Sequence, residues 1–109
     1  MENHSNDSMS RKEIEINFED VELIMGENIQ FLNNCIKNCF CINCNPSLTT
    51  ITNYRFFLNE LEDIILKGEC INCSSPVARY IETGENTESA GMAKHIREII
   101  KKYKKIKKQ

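Results

Sequence analysis

Residues 41–46 read CINCNP and residues 70–76 read CINCSSP. The two copies of CINC carry four of the six cysteines, and the only two prolines of the chain, Pro46 and Pro76, follow them. A CxxC turn brings two sulfurs to one side of a tight loop and leaves its backbone amides free to point at them. Two such turns supply four thiolates, the tetrahedral set that a structural zinc accepts. Cys41, Cys44, Cys70 and Cys73 are therefore the candidate ligands of one metal, and zinc is the expected cofactor. Iron accepts the same four thiolates, as in rubredoxin-like sites, so the donor set leaves an iron-thiolate redox protein open. A thioredoxin-type disulfide requires a single CxxC at a helix N-terminus inside a βαβ unit, which a repeated motif trailed by prolines fits poorly. The residue after the second thiol often takes a left-handed backbone. Here it is Asn45, which tolerates that conformation, or Ser74, which does so less readily.

The residues between the two pairs, 45 to 69, outnumber the roughly 15 to 20 common in zinc sites. The interval is long enough for secondary structure. SLTTITN (47–53) is rich in threonine and isoleucine and predicts a strand. Phe57, Leu58, Leu61, Ile64 and Ile65 then recur at helical spacing, which predicts a helix closed by Gly68. After the second pair, VARYIET (77–83) alternates and predicts a strand stopped by Gly84.

Across residues 41–83 the chain resembles the zinc-ribbon group of domains, on the strength of Cys41, Cys44, Cys70 and Cys73. The resemblance implies two knuckles at the tips of neighbouring hairpins sharing one zinc. A treble clef fits less well, because its second pair opens a helix and here Pro76 and a β-like run follow. The expected fold class is α+β, a small zinc-ribbon-like core flanked by an N-terminal and a C-terminal amphipathic helix.

Upstream, EIEIN (13–17) alternates apolar and charged residues, as a short strand or the lead-in to a helix does. Phe18, Val21, Met25, Ile29, Leu32 and Ile36 share one helical face, with Asn17 as N-cap and the helix ending near Asn38. Gly26 costs such a helix about 1 kcal/mol relative to alanine. Residues 1–12 lack apolar periodicity and are expected to be a disordered tail. Residues 13–84 then form the metal-binding domain, and 85–109 a linker followed by a basic helix in which Met92, Ile96, Ile99, Tyr103 and Ile106 make an apolar seam.

The 109 residues suit one domain, with 40% hydrophobic and 28% charged residues and no tryptophan. No apolar run approaches the roughly 18 residues a membrane span needs, and the polar N-terminus does not read as a signal peptide. A cytoplasmic protein is expected, where thiols stay reduced and six cysteines favour metal over disulfides. The net charge of −2 divides into −6 over residues 1–30, −3 over 31–92 and +7 over 93–109. That basic end predicts a nucleic-acid contact through Arg97, Lys101, Lys102, Lys104, Lys105 and Lys108, with Arg79 and Tyr80 as a stacking addition. Alternatively the acidic first helix and the basic last one pack together, within one chain or between two, in a protein–protein adaptor or homodimer.

Cys35 and Cys39, four apart, share a helix face and read as small core residues more readily than as a second metal site. His4 and His95 are not convincing ligands. No histidine partners a nucleophile at a readable spacing and no glycine-rich phosphate loop is present, so no enzyme activity is expected.

Overall fold

A computed structural model describes residues 13–108, with side chains through Tyr103. The expected tail at 1–12, with His4, lies outside the described residues. The alternation after Lys12 becomes strand β1, Ile14–Ile16. Asn17 ends it and caps helix α1, Phe18–Met25. The Asp20 N–H donates to Asn17 Oδ1 at 2.8 Å and the Asn17 N–H to Asp20 Oδ2 at 3.1 Å, a reciprocal capping box. The single helix expected to reach Asn38 is broken at Gly26. Gly26 has φ +54°, a conformation that glycine reaches without a Cβ penalty. A 3-10 run, Gly26–Phe31, follows, and then the short helix α2, Leu32–Lys37.

The next elements are β2, Cys39–Phe40; β3, Leu48–Thr49; β4, Ile51–Leu58; β5, Ile64–Cys70; and β6, Pro76–Ile81. β2 and β3 form a two-stranded antiparallel ribbon, while the main sheet has the order β1-β4-β5-β6 with every pair antiparallel. The helix expected over Phe57–Ile65 is therefore corrected to a hairpin. Its helical periodicity is a coincidence of two apolar strand ends and one apolar turn residue. Phe57 pairs with Ile65 and Leu58 with Ile64, whereas Leu61 lies exposed at the turn. The turn is built by Asn59, whose Oδ1 accepts the N–H groups of Leu61 and Asp63, each at 2.9 Å. Gly68 is likewise not a helix cap. It lies in mid-strand, where a Cβ would come within 2.6 Å of the Thr52 carbonyl oxygen and 2.9 Å of Tyr54.

One face of the sheet carries Ile16, Phe56, Leu58, Ile64, Leu66 and Val77. They share the core with Val21, Ile24 and Met25 of α1, Leu32 of α2, and Ala93 and Ile96 of helix α3, Thr87–Lys108. α3 starts inside the stretch read as a linker, because Asn86 caps it: the Ser89 N–H donates to Asn86 Oδ1 at 2.9 Å. The stripe it docks is Ser89, Ala93, Ile96 and the half-buried Ile100. Of the expected seam, Ile99 and Tyr103 are 52% and 58% exposed. Small side chains at 89 and 93 let the helix approach closely, so the docked face is rotated from the most apolar one. The acidic α1 and the basic α3 are in contact within one chain.

Arg97 fastens this helix to the hairpin. Its guanidinium donates to the Asn59 carbonyl and, at 2.8 Å, to Glu62 Oε1, with the two side chains only 13% and 11% exposed. Beside it the Thr83 hydroxyl donates to the Glu62 carbonyl at 2.8 Å, and the Gly84 N–H to Asp63 Oδ1 at 2.8 Å. Removing one partner of such a pair leaves the other charge buried. Glu62→Ala is expected to lower stability by about 3 kcal/mol in denaturant titrations; a loss below about 1 kcal/mol, the value of an exposed pair, would contradict the role given to it.

Candidate metal centre

The first knuckle closes the β2–β3 ribbon and the second closes the β5–β6 hairpin. In the first, the Cys41 N–H donates to the Ser47 carbonyl at 2.7 Å and the Cys44 N–H to the Cys41 carbonyl at 3.3 Å. In the second, the Cys70 N–H donates to the Ser75 carbonyl and the Ser74 N–H to the Cys70 carbonyl, both at 2.8 Å. Ser74 takes the left-handed conformation expected after the second thiol, with φ +64°. Asn45 does not, and the first knuckle leaves through a cis Asn45–Pro46 bond. The Ile71 N–H donates to the Thr50 carbonyl at 3.0 Å, which ties the second knuckle to the chain leaving the first.

The four sulfurs meet. Sγ atoms of Cys41 and Cys73 are 3.5 Å apart, those of Cys44 and Cys70 3.6 Å, and all four lie within 4.8 Å of one another. A tetrahedron with metal–sulfur bonds of about 2.3 Å has edges of about 3.8 Å, so the set fits zinc, or iron, with little adjustment. Among the described residues this is the one group of three or more potential ligands close enough to hold a metal ion. Cys41 and Cys70 are buried, Cys44 is half-buried and Cys73 is exposed. Both knuckles stand at hairpin tips, as the zinc-ribbon resemblance implies.

The four thiols hold their protons unequally. The Thr49 hydroxyl, 3.0 Å from Cys70 Sγ, chiefly pulls that thiol down to about 6, helped by the N–H groups of Cys73 and Asn72. Cys73 is lowered by the hydroxyl and then the N–H of Ser75. Cys44, sharing its proton with the sulfurs of Cys70 and Cys73, is pushed up to about 12, and burial raises Cys41. The asparagines in the two motifs set this up. Asn72 Nδ2 donates to Thr49 Oγ1 at 3.5 Å and Asn43 Nδ2 to Ser75 Oγ at 2.7 Å, so each motif asparagine engages a hydroxyl that lowers the pKa of a cysteine in the second knuckle. Thr49 and Ser75 escaped the sequence reading. The repeated asparagine of CINC was the visible trace of them.

The remaining candidates fall elsewhere. Cys39 is buried, its thiol donating to the Cys35 carbonyl at 3.2 Å, and burial raises its pKa. Neither it nor Cys35 belongs to a second cluster of ligands among the described residues. Arg79 donates to the Asn38 carbonyl at 2.9 Å and approaches Cys35 Sγ at 4.0 Å, which turns it away from the exposed Tyr80. Arg97, read with the basic surface, faces the hairpin instead. Lys101 and Lys102 are exposed, as is His95, and the side chains of Lys104, Lys105 and Lys108 lie outside the described ones.

No family model matches the chain, and comparison with curated proteins and with solved structures finds no match either. The assignment therefore rests on the geometry of the cage.

Metal must displace the proton of Cys44 at every pH below about 12, so metal affinity is expected to rise with pH across the range from about 5 to 8. A competition titration with a chromophoric chelator measures it. Thr49→Val removes the bond that favours the Cys70 thiolate. It is expected to cost about tenfold in affinity near pH 6, with a smaller loss near pH 8, since partners of metal ligands contribute on this scale. Equal loss at both pH values would show that the hydroxyl acts only in packing.

Proposed function

We propose that this chain is a non-enzymatic module built on one structural zinc, which presents the basic end of α3 to nucleic acid in the cytoplasm. The observation that carries the metal half is the convergence of four Sγ atoms within 4.8 Å. Four thiolates complete a tetrahedral shell and leave no position for a water or substrate, which distinguishes a structural zinc from a catalytic one. The nucleic-acid half is supported by Lys94, Lys101 and Lys102, all exposed, the last two beyond Ile100, the last half-buried residue of α3 among the described side chains. Arg97 does not count toward that surface, being committed to Glu62. No helix among the described residues is long and apolar enough to cross a membrane.

Elemental analysis of protein purified without added metal is the first test. One zinc per chain and no visible colour is expected, while iron with a visible band would replace the module by an electron carrier. Binding to a short duplex and to a single strand, followed from low to high salt, tests the second half. Each phosphate neutralised contributes about −0.9 to the slope of log K against log salt on a duplex, so Lys101→Glu with Lys102→Glu should reduce the slope by about 2.

A specific observation also supports a protein-adaptor reading. Phe40 and Leu48 oppose each other across the β2–β3 ribbon and are exposed, and Ile42 and Ile71, the second residues of the two CINC motifs, are 81% and 58% exposed. Exposed apolar side chains of this kind favour a protein partner, and binding through them would survive high salt.

A further inference from the structure

The apolar seam of α3 is left open by the fold. The helix docks on the body through Ser89, Ala93, Ile96 and Ile100. Beside that stripe run Glu88, Met92, Ile99 and Tyr103, whose spacings of four, seven and four hold them on one side of the helix. Met92 is half-buried, whereas Glu88, Ile99 and Tyr103 are exposed. Lys102, three residues after Ile99, borders the same strip and is exposed too.

At its N-terminal end the strip opens into a cavity of about 510 Å³ between α1 and α3. Ile24, Met25 and Met92 give it apolar walls, and the charged residues of its lining are Glu27 and Glu88. A smaller cavity of about 190 Å³ continues past Met25 and Asn86 and adds Phe31, Ile81 and Glu82. No lysine or arginine lines either cavity, and none occurs in residues 13–30 or 81–91.

Charge along α3 therefore runs from acid at its start to base at its end, where residues 93–109 carry +7. A helix rises about 1.5 Å per residue, so Lys102 stays about 20 Å from Glu88 of its own chain and cannot reach the cavity there. The partner that satisfies both ends is a second α3 laid the other way round. In that antiparallel pair Met92 lies opposite Ile99, and Glu88 lies opposite Tyr103, one residue from Lys102. A parallel pair would bring two strongly basic ends together, and their repulsion opposes it.

We propose that two copies of this chain associate through antiparallel α3 helices, each laying Ile99, Lys102 and Tyr103 against the cavity between α1 and α3 of the other. The arrangement is two-fold, so both contacts form at once and the assembly closes at two copies. It covers exposed apolar side chains that otherwise face water. Lys101, two residues after Ile99, lies on the opposite side of the helix, so the pairing leaves it to the phosphate surface. Neither knuckle takes part, and the inference goes beyond the metal reading without resting on it.

Sedimentation velocity on the full chain, over a range of concentrations at low and at high salt, reads the mass directly. A monomer–dimer equilibrium is expected, shifted toward monomer by salt. Glu88→Lys and Lys102→Glu, both at exposed positions, should each weaken the dimer about tenfold, because each turns two attractive pairs into repulsive ones. In a parallel pair residue 88 would face 88 and 102 would face 102, and neither change would weaken it. Combining Glu88→Lys with Lys102→Glu restores opposite charges across the antiparallel contact and should return association to near its original strength, which separates the effect from a loss of folding. Ile99→Ser should weaken the dimer at both salt concentrations. A dimer unmoved by either reversal, or a combined variant no tighter than the single ones, overturns the inference. Growth beyond two copies does so as well, being the mark of open head-to-tail chains. A chain that is monomeric at every concentration also overturns it and leaves the cavity to a basic helix from another protein.

Discussion

Four sulfurs within 4.8 Å of one another are a demanding arrangement for a chain of this size. As thiolates they repel, and as thiols they are small apolar groups with little reason to converge. A metal supplies the attraction that makes the arrangement worth holding, on the order of 10–16 kcal/mol in small zinc domains against a total stability of ~5–15 kcal/mol. The β2–β3 ribbon depends on it most. That ribbon has two residues in each strand, too few to be stable alone, and it leans on β6 of the main sheet with Cys39 in the shared core. The main sheet has a second support, the helices α1 and α3 that cover one of its faces with a continuous apolar core.

The cage was legible because its signal is local: two CxxC turns constrain their own geometry, and only the distance between them depends on the rest of the chain. Where the fold was misread, tertiary placement had overridden a local pattern. Phe57, Leu58, Leu61, Ile64 and Ile65 satisfy a helical period, yet the pairs Phe57–Ile65 and Leu58–Ile64 face each other across two strands. Asn59, an unfavourable residue in mid-helix and a good one in a turn, was the discriminating letter. The docked face of α3 was misplaced for a related reason. Hydrophobic periodicity counts large side chains, whereas this helix approaches its neighbours through Ser89 and Ala93, which carry almost no hydrophobic signal. Arg97 illustrates a third limit: nothing in a run of lysines and arginines marks the one whose partner, Glu62, stands in a distant turn.

The duplicated motif is therefore two halves of one site that are alike in ligands and unlike in surroundings. Both contribute a pair of sulfurs and an asparagine that engages a hydroxyl. Thr49 comes from the ribbon and Ser75 from the second knuckle, but both serve sulfurs of the second. A duplication at the level of letters has become an asymmetry at the level of charge, since the thiols of Cys70 and Cys73 are lowered in pKa and those of Cys41 and Cys44 are raised.

Strand β5 carries a consequence of another kind. It begins one residue after Asp63, in the turn that Arg97 grips, and it ends at Cys70, one of the four clustered cysteines. Seven extended residues, about 20 Å of nearly inextensible backbone, thus connect the basic helix to the cage. β5 is in effect a tie-rod. A tensile load applied to α3 is delivered along that rod to the cysteine cluster, so the helix and the cluster are two anchorages of one mechanical element.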